Sequence, residues 1–289
     1  MLRFLTKKVK SDGAGISIPI ADGILHLHEL RSRLFRNSRF VRVWTPAGYS
    51  DPPGTRYPVL YLNDGQNLFE ASTAFGGVHW QVGETASRLM AEKKIPPLII
   101  VGIDNAGKNR IREYLPWRSA DTRVFVVKGK LYPNFLRREV MALVESRYAV
   151  LTGPENTGLG GSSLGGLIAL YTQLAAPGVF GKLLIESPSL GVANRRIIAE
   201  SRRFRSWPER VYLGMGTREL GDAAKDEKIV NDARELAALI AGAGLDERRL
   251  RVNIEEGASH SEASWARRFA GALGFLYSSS QFSGLSSQD

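Results

Sequence analysis

The chain has 289 residues and carries 39 Lys and Arg against 29 Asp and Glu, a net charge of +10, with 43% hydrophobic residues. This suits a globular protein with a full core, and no apolar run approaches the ~18 residues that a membrane helix needs. Cysteine is absent, which excludes disulfides, thiolate nucleophiles and Cys-based zinc sites together.

The length fits two domains of about 150 residues or one large α/β domain. No internal repeat and no Pro- or Gly-rich linker divides the chain, which favours one. Residues 1–37 form a basic segment packed on or leading into a main domain over 38–277, and residues 278–289 read as a polar, mobile tail. The start, Met1-Leu-Arg-Phe-Leu-Thr-Lys-Lys, is too short in apolar residues for a secretory leader, so the expected location is cytoplasmic, or secreted if a leader was removed. Residues 1–45 hold nine basic and three acidic side chains. No helix-turn-helix, zinc-finger or basic-zipper pattern accompanies them. The charge therefore reads as solvated faces, and no nucleic-acid or membrane partner is expected. A basic surface suits an anionic substrate.

In chain order, Ile24–Leu30 and Phe40–Trp44 alternate apolar and polar residues in the manner of half-exposed strands. Tyr57–Leu62 and Leu98–Val101 are continuous apolar runs, as in buried parallel strands. The polar, Arg-rich segment from Asn105 to Tyr132 fits a loop over a site better than a core element. Thr157-Gly-Leu-Gly is a short strand candidate, and Lys182–Ile185, Arg210–Leu213 and Leu250–Ile254 are further ones. Helical patterns lie near 80–93, 132–148, 165–176, 226–242 and 261–277. Two early alternating strands followed by β-α repeats predict an α/β fold, a mostly parallel central sheet with helices on both faces.

Gly161-Ser162-Ser163-Leu164-Gly165 is a G-x-S-x-G. A serine on a sharp strand-to-helix turn needs small residues two positions to either side, where a Cβ would strike the neighbouring chain. The bare pattern is weak in a chain with 30 glycines, so partners must decide. They appear in the order nucleophile, acid, histidine. Glu219 follows the run Arg210–Leu213, with Asp222 and Asp226 as rivals, and His260 follows Leu250–Ile254 on a Gly/Ser loop. A serine hydroxyl is a poor nucleophile until a base takes its proton; His260 can do so, with Glu219 fixing its tautomer. The oxyanion would be met by backbone N–H groups of Leu164 and Gln66, where Gly65 lets the chain turn sharply after a strand. Of the other histidines, His26 and His28 share one face of a strand, and a surface strand is favoured over a metal site. His79, beside Trp80, reads as pocket lining or as packing.

Asp64-Gly-Gln-Asn-Leu-Phe69, Ala74-Phe-Gly with Trp80, Val101-Gly-Ile-Asp-Asn105, Arg110 with Glu113-Tyr114, and Gly161-Ser-Ser-Leu-Gly-Gly166 together resemble the "putative esterase" family. That family gathers esterase D, enterochelin-esterase-like enzymes, feruloyl and acetylxylan esterases, and a mycolyltransferase branch. The resemblance covers residues 38–277; the first 37 match nothing in it. It implies an α/β-hydrolase fold without cofactor or metal, with Ser163 as nucleophile, Glu219 as acid, His260 as base with Trp265 beyond it, and Gln66 and Leu164 as oxyanion donors. The expected activity is that of a serine carboxylesterase on a small-molecule ester, anionic or aromatic, such as a feruloyl or acetyl ester or a siderophore-type lactone. An acyltransferase of the same fold and a non-catalytic binding protein are the alternatives.

Overall fold

The computed structural model describes residues 16–49, 51, 53–120 and 124–278. The proposed tail after 278 and the first 15 residues lie outside them. Nine strands form a single sheet: β1 (Ile16–Ile20), β2 (Gly23–Arg31), β3 (Ser38–Thr45), β4 (Val59–Asn63), β5 (Ile99–Ile103), β6 (Thr157–Ser162), β7 (Lys182–Glu186), β8 (Arg210–Arg218) and β9 (Leu250–Ser259). Their order is β1-β2-β3-β5-β4-β6-β7-β8-β9. Pairings from β1 through β3 to β5 are antiparallel, and every pairing from β5 onward is parallel. Residues 16–31 thus belong to the same sheet as the rest.

Helices α1 (Val82–Ala91), α2 (Arg110–Tyr114) and α3 (Tyr132–Phe135) come next, α3 running through a wide turn (Leu136–Met141) into α4 (Ala142–Arg147). They are followed by α5 (Leu164–Ala175), α6 (Val192–Ser201), α7 (Ala223–Gly242) and α8 (Glu262–Tyr277). The two faces of the sheet bury separate cores, because successive side chains of a strand point to opposite sides. Val59 and Tyr61 of β4 pack with Leu159, Leu167, Leu183 and Leu236, whereas Leu60 and Leu62 pack with Trp44, Leu89, Phe269 and Leu273. Strands β4 and β5 are buried on both faces, which is why they read as unbroken apolar runs.

Strand β6 has the same burial but a glycine-rich sequence. A Cβ at Gly158 would stand 2.5 Å from the Tyr277 hydroxyl, and one at Gly160 would stand 2.7 Å from Leu184 Cβ. Close approach of α8 and β7 demands the glycines, at the expense of the usual strand signature. The segment after Asn105 is more than a covering loop. It contributes fully buried Tyr114 and Leu115 and nearly buried Trp117 to the core. His28 does not lie on an open strand surface either. It is buried, with its Nε2 hydrogen-bonded to the Tyr148 hydroxyl at 2.6 Å, and Arg147 sits 2.9 Å from its Nδ1. His26 is half-buried beside Ser17, at 2.9 Å. No cluster of His and acidic residues suited to a metal occurs among the described residues.

The chain passes from β4 to β5 on one side and from there to β6 on the other. Crevices form at the carboxyl ends of strands where the winding reverses in this way. That end of β4 carries Asn63 and Asp64, and that end of β6 carries Ser162 and Ser163.

Candidate active site

Ser163 joins β6 to α5 with φ 56° and ψ −125°, a region that residues with side chains rarely occupy. Its surroundings hold the turn in place. The Ser163 N–H donates to the Glu186 carbonyl at 2.9 Å, and its own carbonyl accepts from Ser189 N–H at 3.1 Å. The two motif glycines answer to close packing. A Cβ on Gly161 would stand 2.8 Å from the Gly165 carbonyl, and one on Gly165 would stand 2.8 Å from Asp64 Oδ2. Asn63 fastens the same turn to β4 by donating its amide to the Gly165 carbonyl at 2.8 Å, while its Oδ1 accepts from the Tyr132 hydroxyl.

Glu219 directly follows β8 and its side chain is 1% exposed. Its Oε1 accepts from Gly216 N–H at 2.6 Å and from the Ser187 hydroxyl at 2.7 Å. Its Oε2 lies 2.5 Å from His260 Nδ1. Burial pushes the Glu219 carboxyl up, but the hydrogen bonds from His260, Ser187 and Gly216 outweigh it and hold the group below the usual carboxylate value. His260 lies between β9 and α8, edge-on to Trp265 with centroids 5.0 Å apart. The rivals are engaged elsewhere. Asp222 caps α7 by accepting from Lys225 N–H, and Asp226 accepts from Leu220 N–H.

Ser163 and His260 line one cleft of about 320 Å³ together with Gln66, Asn105, Arg110 and Glu262. Arg110 forks onto Asp64 at 2.7 and 2.8 Å, and Asn105 adds an amide donor to the same carboxylate at 2.7 Å. Glu262 accepts from the Asn67 amide at 3.1 Å. The one cation of this lining is therefore already paired, and the local charge does not follow the basic excess of the whole chain. The sharp turn ahead of Gln66 falls on Asp64, whose φ is 57°, and not on Gly65. Gly65 is required for another reason: a Cβ there would stand 2.5 Å from the backbone of Gly102 in β5. His79 stands 3.6 Å from Glu84 and lies outside the cleft.

Sequence reasoning passed over the groups that hold this pair. Ser187 follows β7, donates to Glu219 and accepts from Trp265 Nε1 at 2.9 Å. Beneath it Arg268 pairs with Glu186 at 2.7 Å, both side chains almost fully buried. The available signal was Glu186-Ser187-Pro-Ser189 at the end of an apolar strand, the place in its β-α unit that Ser163 occupies in the preceding one.

An open, mostly parallel sheet whose strand ends bring together a serine in a strained turn and a histidine held by a buried glutamate has the form of an α/β-hydrolase. More narrowly, the chain belongs to the family described as "Putative esterase", whose profile matches residues 32–276. It is 26% identical over 246 residues to the uncharacterized protein YbbA of Bacillus subtilis, covering 83% of this chain and 93% of that one. It is 29% identical over 187 residues to the iron(III) enterobactin esterase of Dickeya dadantii, a match that spans 64% of this chain and 38% of that protein. Among solved structures, the BES protein from Bacillus cereus superposes with a TM-score of 0.70 at 19% identity, covering 95% of this chain and all of that one. The siderophore hydrolase EstB from Aspergillus nidulans superposes with a TM-score of 0.67 at 19% identity over 92% and 96% of the two chains. Family membership supports ester hydrolysis as the activity. No helix among the described residues is long and apolar enough to cross a membrane.

Proposed function

We propose that the protein is a serine carboxylesterase working through an acyl-enzyme on Ser163. In this reading Ser163 Oγ attacks the ester carbonyl carbon while His260 Nε2 takes its proton. The negative charge that develops on the carbonyl oxygen is met by the N–H groups of Leu164 and Gln66. His260 then returns the proton to the alcohol oxygen, the acyl–oxygen bond breaks and the alcohol leaves. Water adds to the acyl-enzyme with His260 again as base, and the free acid departs with Ser163 restored. Glu219 keeps the imidazole proton on Nδ1 and steadies the imidazolium.

The observation that carries this reading is the strained Ser163 turn in the same cleft as an imidazole whose Nδ1 is held by a buried carboxylate. A structural turn would need neither the strain nor the pair. For substrate we propose carboxylic esters of the feruloyl or acetyl type, or siderophore-type lactones, the latter suggested by relatives described as enterobactin and salmochelin esterases. Turnover of methyl ferulate and of a catecholate trilactone, measured side by side, separates the two classes. Labelling of Ser163 by a serine-reactive phosphonate tests the nucleophile, and an unlabelled Ser163 in active protein would overturn the assignment.

A further inference from the structure

Beside the glutamate–histidine pair lies a second cavity of about 280 Å³. Pro188, Leu190, Val192, Leu220 and Ile229 give it an aliphatic wall, and His260 closes it on the side of the active site. Ser163 and Gln66 line the polar cleft instead. Both buried carboxylates of its lining are already engaged, Glu219 with His260 and Asp232 with Arg195 at 2.8 Å. The chain entering the cavity wall is itself unusual. Ala193, Asn194 and Arg195 at the start of α6 take φ values of 51°, 55° and 61°, three successive left-handed residues with side chains. Strain of this kind persists where its surroundings enforce it, and it gathers at ligand sites. Here the Arg195–Asp232 pair and a hydrogen bond from Ala193 N–H to the Ser119 hydroxyl enforce it.

The two lobes are not equivalent for an ester. On the acyl-enzyme reading, on which this inference rests, the carbonyl sits between Ser163 and the N–H groups of Gln66 and Leu164, while the alcohol oxygen must reach His260 to receive its proton. We infer that the aliphatic cavity is a subsite for the alcohol half of the substrate and selects a short, uncharged alkyl group, which of the two proposed classes favours simple feruloyl or acetyl esters over siderophore-type lactones. Its size sets the limit, since small-molecule sites run from ~300 to 1,000 Å³. A cavity just below that range takes part of a small ligand, not a long lipid chain. The acyl half lies in the cleft of Ser163 and Gln66, whose apolar lining is aromatic, from Phe75 and Trp265, and not aliphatic.

Two pairs of isomeric esters separate the halves: ethyl acetate against methyl propionate, and butyl acetate against methyl pentanoate, with acid release followed by pH-stat titration. Each methylene taken into the cavity raises kcat/KM by about fourfold, the equivalent of ~0.8 kcal/mol. Butyl acetate is therefore expected to exceed methyl acetate by tens of fold and to outrun methyl pentanoate clearly. Hexyl and longer acetates fall back. Val192→Phe, which fills the cavity, and Leu220→Asp, which puts a charge at its 60%-exposed rim, should both flatten the rise along the acetate series. Leu220→Asp perturbs an exposed position, so the test survives if Val192→Phe fails to fold. Equal turnover of the isomers, a rise along the acyl series instead, or an unaltered slope in both variants overturns the subsite. Absence of Ser163-dependent hydrolysis of every ester overturns the esterase reading itself, a different result from a flat slope.

Discussion

Replacing Glu219 by glutamine tests how the histidine is set for its task, because the surroundings leave the amide no harmless orientation. The Oε1 position faces two donors, Gly216 N–H at 2.6 Å and the Ser187 hydroxyl at 2.7 Å. An NH₂ placed there would meet the backbone N–H, which has no alternative role. The amide oxygen therefore takes the Oε1 position and the NH₂ faces His260 Nδ1, where the carboxylate oxygen had been. Nδ1 must then accept, the ring proton moves to Nε2, and that nitrogen can no longer receive the Ser163 proton. The loss of the correct tautomer and of the charge opposite the imidazolium predicts a fall in kcat of about 10⁴-fold, or ~5.4 kcal/mol of transition-state stabilisation. The assay is saturation kinetics on p-nitrophenyl acetate, with Tm measured in parallel, which should change little because shape is kept. Asp222→Asn and Asp226→Asn should leave kcat within severalfold. A Glu219→Gln enzyme keeping more than a tenth of the wild-type kcat would refute the tautomer argument.

Three further predictions concern stability. Gly161→Ala forces a Cβ to 2.8 Å from the Gly165 backbone and 3.0 Å from Asn63 Cβ, so it should cost about 1–3 kcal/mol and lower Tm; Gly271→Ala, in open space on α8, should raise stability by ~0.5–1 kcal/mol. Equal effects from the two would contradict the close-packing explanation. Arg39 and Glu113 form an ion pair whose side chains are 1% and 3% exposed. Arg39→Met strands that carboxylate and should cost about 3–5 kcal/mol in urea unfolding, whereas Arg39→Met with Glu113→Leu recovers most of it. A double variant no more stable than the single one would argue against a stranded charge. The third concerns pH. Burial, with Arg147 and His26 adding to it, pushes His28 down from 6.5 to about 4. The folded chain then keeps the ring neutral while the unfolded chain takes up a proton, so stability is lost as pH falls from about 6.5 to about 4. His28→Gln should shrink the drop in Tm between pH 7 and pH 5, and an unchanged drop would point to other groups.

The sequence carried the elements whose burial produces a simple pattern. Strands β4 and β5 are apolar throughout because both faces are covered, and α5 and α8 show helical spacing because each has a buried face. What escaped was set by tertiary contact. β6 is glycine-rich because Tyr277 and Leu184 press on it, so little in its composition beyond its place before Ser163 marked a strand. α6 opens in left-handed backbone held by the Arg195–Asp232 pair across to α7, and no local periodicity encodes that. At the proposed site, the placement of Ser163, Glu219 and His260 at strand ends was legible from chain order, and the structure sets Ser163 and His260 in one cleft with Glu219 against His260. Glu219 could be chosen over Asp222 and Asp226 because it directly follows the strand, and the latter two prove to serve α7 and its entry loop. Ser187 was not found, since its role lies in a hydroxyl joining Trp265 to Glu219 across 78 and 32 residues of sequence. The sharp turn expected at Gly65 sits one residue earlier, because the glycine is needed for contact with β5 and Asp64 tolerates the left-handed conformation.

The nucleophile is the assignment on which the rest depends. Hydrolysis of p-nitrophenyl acetate and butyrate by wild type and by Ser163→Ala, compared at equal concentration and equal Tm, tests it most directly. Wild-type turnover with the variant reduced at least a thousandfold is the expected result. A folded Ser163→Ala protein that hydrolyses these esters as fast as wild type would contradict the proposed acyl-enzyme on Ser163.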